Sequence, residues 1–419
     1  MKKKLLFIES NTTGTGMLLI DKAKSWGLEP FFLTHSPHIY LGLAETGCEI
    51  IICDTNSIDE LKKVMDSSFT TEEIAGIMTT SEYYLATVSE LAVGYGLPGN
   101  PPDVIATCRN KHKTRLALAE AHIKQPRFSV VQTISETECA ISGIGFPCVV
   151  KPLDDSGSNE VRLCETLEEV KVQFHKIIQK NFNPRGQAAM KAVLIEEYLD
   201  DPEYSVEMFT WQGISTCVGI TEKRLTGYPY FIEYRHIFPA KLNSDAEKDI
   251  INTVSAALKA VGFVSGVTHT EIKLTSSGCA IIEINARPAG GMIPELIQHV
   301  AGIDLLEVQT KAALGDTPSI QVSYSGYAGI QFIVSDDSGI LNEVQGIHEV
   351  ERLEGVKLVK MTSGIGKKVY QPKNSSHRLG FVIAVADTYQ DMERLLDGVH
   401  SMIKLKIEKL RCKDPSIMG

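Results

Sequence analysis

The sequence has no Cys-x-x-Cys pair: its nine cysteines are scattered along 419 residues. Metal-knuckle and dithiol readings therefore fail. Most of the cysteines sit in apolar strands, as Cys148 does within Phe146-Pro147-Cys148-Val149-Val150, and read as small buried hydrophobes. Free thiols of this kind fit a reducing cytoplasm, the expected location. Long hydrophobic runs are missing too, and none approaches the length of a membrane span. Lys2-Lys3-Lys4 and Leu5-Leu6-Phe7-Ile8 begin like a signal peptide, but the apolar stretch stops at Glu9, too short for its hydrophobic region. Excess positive charge is the third absence. With 42 Lys and Arg against 52 Asp and Glu, the net charge is −10, which argues against nucleic acid as a partner. What remains is 43% hydrophobic and 22% charged, an ordinary soluble globular composition. The length suits roughly two to three domains.

The first hundred residues alternate strands and helices. Strands are expected at Lys4 to Ile8, Glu29 to Thr34, Glu49 to Cys53 and Ile74 to Thr79, with helices at Met17 to Trp26, Ile58 to Met65 and Glu82 to Tyr95. Such a series predicts a parallel sheet with right-handed crossovers. Asn11-Thr12-Thr13-Gly14-Thr15-Gly16 after the first strand lacks the third glycine of a dinucleotide fingerprint, although loops at this place in such sheets commonly lie near a ligand. Gly99-Asn100-Pro101-Pro102 marks a boundary.

The most informative stretch is Val267-Thr268-His269-Thr270-Glu271-Ile272-Lys273, a turn at Thr275-Ser276-Ser277-Gly278, and Ile281-Ile282-Glu283-Ile284-Asn285-Ala286-Arg287-Pro288-Ala289-Gly290-Gly291. It reads as a hairpin in which Glu283, Asn285 and Arg287 share one face, with Glu271 brought beside them. Two carboxylates and an amide oxygen are hard ligands suited to Mg²⁺, which binds through a few carboxylates plus nucleotide phosphates. Arg287 can hold an anion bidentately. A solvated polar face is the plainer reading, but carboxylates within so apolar a run are costly unless paired or metal-bound.

Upstream, Arg109-Asn110-Lys111-His112-Lys113-Thr114-Arg115 heads an Ala/Leu-rich helix. Cations there oppose the helix dipole, so either a solvated charge run or an anionic ligand must account for them. Lys151 ends the buried strand Phe146 to Pro152, and Leu153-Asp154-Asp155-Ser156-Gly157-Ser158-Asn159 follows as a small-residue loop. Its backbone N–H groups could wrap phosphate oxygens, and its lack of apolar anchors suits a lid. A strand at Ala192 to Leu199, a turn at Asp200-Asp201-Pro202 and a strand at Glu203 to Phe209 come next. The first could offer backbone groups to an adenine edge, and Glu203 could accept ribose hydroxyls.

Taken in order, Lys111, Val149-Val150-Lys151-Pro152 with its Ser-Gly-Ser loop, Ile195-Glu196-Glu197-Tyr198, Glu203-Tyr204-Ser205-Val206-Glu207, Glu271 and Glu283-Ile284-Asn285-Ala286-Arg287 resemble the ATP-grasp superfamily. Within it, Arg287-Pro288-Ala289-Gly290-Gly291 and the His-bearing Glu233-Tyr234-Arg235-His236-Ile237-Phe238-Pro239-Ala240 are similar to bacterial L-amino acid ligases of the bacilysin-synthetase type and the related dapdiamide ligases.

The resemblance implies a multidomain fold of mixed α/β and α+β class. Its parts are a parallel α/β pre-ATP-grasp domain over 1–100, an ATP-grasp small lobe with the lid over 101–190, a large lobe with the metal site over 191–310 and a mixed C-terminal lobe over 311–419. It implies ATP and Mg²⁺ as cofactors, Lys111 and Lys151 on the phosphates, and Ser156, Gly157 and Ser158 as the lid. Glu196 and Tyr198 would form the adenine hinge, chiefly through backbone groups, and Glu203 would contact ribose. Glu271, Glu283 and Asn285 would hold the metal, and Arg287 would steady an acyl phosphate and the tetrahedral intermediate. His236 is a catalytic candidate able to donate to a phosphate or carboxylate oxygen. His269, Gly290 and Gly291 are substrate-side candidates, the glycines allowing close backbone approach. A structural hydrogen bond is the plainer reading of either histidine. Glu197 and Glu207 are read as structural.

The implied activity is ATP-dependent joining of an amino acid, or a similar carboxylate, to a second amino acid through an acyl phosphate. ADP and phosphate would be released. The alternatives are a nucleotide-biosynthesis or carboxylase-type ATP-grasp enzyme and a non-catalytic nucleotide-binding protein. A homodimer is the prior for soluble enzymes of this kind. In the last hundred residues, strands are expected at Gly326 to Val334 and Arg378 to Ala386, with an amphipathic helix from Tyr389 to Ile407.

Overall fold

The structure, a computed structural model, describes residues 3–12 and 15–409. Lys2, together with Thr13 and Gly14 of the N-terminal glycine loop, lies outside them. The expected parallel sheet is present, in the order Glu49–Ile52, Glu29–Thr34, Lys4–Ile8, Ile74–Met78. Lys4–Ile8, Glu29–Thr34 and Ile74–Met78 are buried beneath helices Thr15–Ser25, Ile58–Ser68 and Leu85–Gly94, which explains their continuous apolar sequence, while the edge strand Glu49–Ile52 is partly exposed. The helix expected from Glu82 begins instead at Leu85, after a single tight turn at Glu82–Tyr84. The Glu82 side chain at that turn is buried.

The small lobe is an antiparallel sheet in the order Phe128–Val131, Val193–Glu197, Cys148–Pro152, Arg162–Cys164. Helices Glu136–Ile144 and Leu167–Ile178 close one face over Val131, Val150, Val193 and Ile195. Strand Val193–Glu197 lies inside this sheet, so the small lobe runs past the expected boundary at 190. The cysteines follow their expectation here: Cys148 and Cys164 are buried, paired in register and reduced.

The large sheet has eight strands: Gly278–Asn285, Gly266–Thr275, Glu203–Trp211, Ile214–Thr226, Ile232–Phe238, Tyr327–Ile333, Gly380–Ala386 and Val356–Met361. It therefore continues beyond 310 into the C-terminal lobe without a break. One face packs Val206, Met208, Ile272 and Ile284 against helix Ser244–Ala260. The other is divided along its strands. Phe209 and Val267 lie at an apolar end beneath helices Ile293–Ala301 and Leu305–Ala313. Two residues away in each strand, Glu207 and His269 begin a polar half.

The C-terminal helix ends at Met402, and Lys404–Lys409 is a strand pairing with Gly339–Gln345. This corrects the expected helix to Ile407: Leu405 and Ile407 alternate with charged residues at a period of two and pack into a small cluster around Leu341. Among the described residues no helix is long and apolar enough to cross a membrane.

Candidate active site

The hairpin between Gly266–Thr275 and Gly278–Asn285 sets Glu271 directly opposite Glu283, and His269 opposite Asn285. Residues so paired share a face, and like charges facing each other repel. Each carboxylate is offset by a lysine from elsewhere in the chain. Lys111 Nζ lies 3.2 Å from Glu283 Oε1, and Lys223 Nζ lies 2.7 Å from Glu271 Oε1. Two opposed carboxylates beside an amide, already held in place by cations, are the hard-oxygen donor set that Mg²⁺ takes together with phosphates. The three residues fit the metal.

Lys223 belongs to the large sheet itself, whereas Lys111 and Lys151 come from the segment before it. Asn110 caps helix Lys111–Glu120 by accepting from Lys113 N–H, which turns Lys111 inward. Its ammonium donates to the Asp155 carbonyl at 2.9 Å. Lys151, at the end of its strand, reaches Glu196 Oε2 at 2.5 Å, while Arg115 Nε donates to Glu196 Oε1 at 2.6 Å. For Arg115 neither a solvated charge run nor a bound anion is the reason: it is buried, pairs with Glu196 of the same chain, and also donates to the carbonyls of Ile281 and Ile282 on the edge strand.

Burial alone would raise the Glu196 carboxyl, but Arg115 and Lys151 outweigh it and hold it at about 2, against an ordinary 4.5. A depressed folded value means stability that is complete above the unfolded value and disappears as pH falls toward the folded one. Glu196→Gln should therefore cost about 3–5 kcal/mol at pH 7, because it leaves two buried cations uncompensated. In urea unfolding, the difference between variant and wild type should narrow as pH drops from 4.5 toward 2. A difference independent of pH would contradict the ion-pair account.

Ser156, Gly157 and Ser158 form the tip of a loop whose base is fixed through Asp155. That carboxylate accepts from Tyr83 OH at 2.5 Å, Ser156 N–H at 2.9 Å and Asn159 Nδ2 at 2.6 Å. Gly157 and Ser158 both adopt left-handed backbone, with φ of 70° and 58°, and the Gly157 carbonyl accepts from Ser375 N–H of the C-terminal lobe at 3.3 Å. Tyr198 turns outward, its hydroxyl donating to Asp200 at 2.8 Å, so at this position only the backbone faces the interior. Glu203 is held by two lysines, Lys223 at 3.0 Å and Lys273 at 3.4 Å.

At the far end, Arg287 Nε lies 2.6 Å from Glu82 Oε2, and Arg109 lies 3.3 Å from Glu82 Oε1. The Arg287 and Glu82 atoms are in contact but not aligned for a hydrogen bond, so both keep bonding capacity. Burial would raise the Glu82 carboxyl, yet Arg287, Arg109 and Lys111 together hold it below its usual value. His236 is buried beside Glu233, its Nε2 3.7 Å from Glu233 Oε2, and its Nδ1 has no partner. Burial, only partly opposed by Glu233, pushes it down to about 3, so it is a neutral ring at physiological pH. A Cβ on Gly291 would stand 3.0 Å from His236 Nε2, which places the glycine turn against that ring. Gly290 has open space where a Cβ would lie.

His269 Nδ1–H donates to Glu207 Oε1 at 2.7 Å, and its Nε2 is 3.5 Å from Glu271. Burial would lower its pKa, but hydrogen bonds to the two carboxylates push it up to about 9. Glu207, read as structural in the sequence, is wholly buried and also accepts from Ser205 and Thr221. It belongs to the polar face as the partner of His269. Glu197 pairs with Arg127 near the surface. Arg109 and Arg115, from the basic segment at the helix start, and Lys223, Glu233 and Arg378 complete the cluster. Lys223 and Arg378 meet their partners across separate elements, and no local pattern marks those two.

Opposed carboxylates beside an amide and a lysine, bordered by a paired acid and arginine, have the chemistry to hold a divalent cation and phosphate oxygens. Residues 144–295 match the family profile of the ATP-grasp domain, so the chain contains an ATP-grasp domain. Residues 331–408 match the L-amino acid ligase C-terminal domain 2. The chain is 29% identical to the uncharacterized protein y4rH of Sinorhizobium fredii, over 94% of this chain and 81% of that one. It is 28% identical to the alanine–anticapsin ligase of Bacillus subtilis over 56% of this chain, spanning 53%, or about half, of that relative. The L-amino acid ligase structure from Bacillus licheniformis superposes with a TM-score of 0.83, covering 97% of this chain and 99% of that one at 23% identity, a likeness of fold.

Proposed function

We propose that the protein joins the carboxylate of one amino acid to the amine of a second, using ATP and Mg²⁺ and releasing ADP and phosphate. The observation that carries this reading is the opposed Glu271 and Glu283 pair, approached by Lys111 and Lys151 and bordered by the Glu82–Arg287 contact pair. It offers cation and phosphate chemistry on one side and a site for a zwitterion on the other. The relationship to the alanine–anticapsin ligases supports amino acids as the substrate class.

A carboxylate oxygen attacks the γ-phosphorus, the bond to the bridging oxygen breaks, and ADP leaves. Mg²⁺ held by Glu271, Glu283 and Asn285 would neutralise phosphate charge during this step. Lys111 and Lys151 spread the remaining negative charge, and the Ser156-Gly157-Ser158 tip excludes water that would hydrolyse the acyl phosphate. The amine of the second amino acid, having lost a proton, attacks the carbonyl carbon. Arg287 stabilises the oxyanion until phosphate departs. Glu82 can accept a substrate ammonium, and neutral His236 can donate to a carboxylate oxygen.

Screening amino-acid pairs with ATP and MgCl₂ should reveal pairs that release phosphate and ADP in equal amounts with a dipeptide. AMP and pyrophosphate as products would overturn the acyl-phosphate route.

A further inference from the structure

Lys223 lies in the last third of strand Ile214–Thr226, with its side chain buried. It touches three carboxylates on three other strands: Glu233 at 2.6 Å, Glu271 at 2.7 Å and Glu203 at 3.0 Å. Each of these acids has a second cationic or polar partner that ties it to a different part of the site. Glu203 reaches Lys273, Glu271 reaches His269, and Glu233 reaches Arg378, which donates to it at 2.6 Å. Arg378 also lies over the Phe332 ring, 3.8 Å from its centre, and belongs to the C-terminal segment 331–408. Lys223 is the group common to the ribose-side acid, the metal-side acid and the acid that receives the C-terminal lobe.

Three carboxylates at such spacing cannot all stay ionised without a cation among them. The charge that holds them is a point ammonium with three donors, one for each acid. It engages Glu271 through Oε1, which leaves Oε2 for a metal.

We propose that Lys223 is the positioning residue of the metal face: a built-in cation that holds Glu271, Glu203 and Glu233 ready before nucleotide arrives and links them to Arg378 of the C-terminal lobe. This rests on the reading of Glu271 as a Mg²⁺ ligand. Without the ammonium, the acids repel one another and draw in free Mg²⁺ in its place.

The test uses the full chain with Lys223→Met, and the charge-balanced Lys223→Met/Glu233→Gln in case the single variant does not fold. ADP binding is measured by calorimetry over a series of MgCl₂ concentrations, and thermal melting is followed with MgCl₂ alone. At limiting Mg²⁺ the variant should bind ADP about tenfold or more weakly than wild type, the size expected when a supporting partner of a metal ligand is lost. The gap should close as MgCl₂ rises. MgCl₂ without nucleotide should raise the variant's melting temperature by several degrees and leave wild type nearly unmoved. A gap that does not depend on Mg²⁺, no gap, or failure of both variants to fold would each overturn the proposal, since the ammonium would then be a structural support or nothing. Wild type that fails to bind ADP with Mg²⁺ would overturn the nucleotide reading itself.

Discussion

Glu283→Gln should lower amino-acid-dependent ADP release by about 100-fold or more, the scale of losing a ligand that neutralises charge on a transferring phosphoryl group. The fold should be unharmed, for a reason specific to this hairpin. Glu283 stands opposite Glu271, so the amide removes a repulsion at the same time as it removes the contact with Lys111 at 3.2 Å. The two effects oppose each other, and Glu283 is partly open to solvent, where such pairs contribute about 0–1 kcal/mol. Steady-state assays at saturating ATP, beside a thermal melt, check both halves. Undiminished turnover would sink the metal assignment. A collapsed melting temperature would mean that Glu283 supports the fold rather than the reaction.

The hairpin was legible in the sequence because Glu283, Asn285 and Arg287 stand two apart along an apolar strand, so local alternation already fixes the face. Lys111 and Lys151 were legible through their order along the chain, and the structure brings both to that face. Glu207 was not: between Val206 and Met208 it looks like one acid in a core strand, and only the pairing with Gly266–Thr275 reveals His269 beside it. Lys223 and Arg378 are hidden for the same reason, since their partners lie on other strands and loop closure between them leaves no local trace. Glu196 shows a further limit. Its place on the strand before Tyr198 was expected to matter through the backbone, yet its side chain is the buried carboxylate that holds both Arg115 and Lys151. The C-terminal strand Lys404–Lys409 was absorbed into the preceding helix because both periods fit a short amphipathic run; pairing with Gly339–Gln345 decides between them.

The reaction and the fold make separate demands on Arg287, and substitution can pull them apart. Arg287→Met removes the cation from the place where the oxyanion forms, and should lower kcat/KM by about 100- to 1,000-fold. It also leaves Glu82 buried with one arginine fewer; breaking a buried pair can cost about 3–5 kcal/mol. Here the loss should fall toward the lower end, because Arg109 stays at 3.3 Å from Glu82 and Lys111 still acts on it. Adding Glu82→Gln to Arg287→Met removes the stranded charge. The double variant should regain most of the stability lost, measured by urea unfolding, and none of the activity. If the double variant recovered turnover along with stability, Arg287 would serve only to neutralise Glu82, and the oxyanion would have to be held by the backbone N–H groups of the Gly290-Gly291 turn instead.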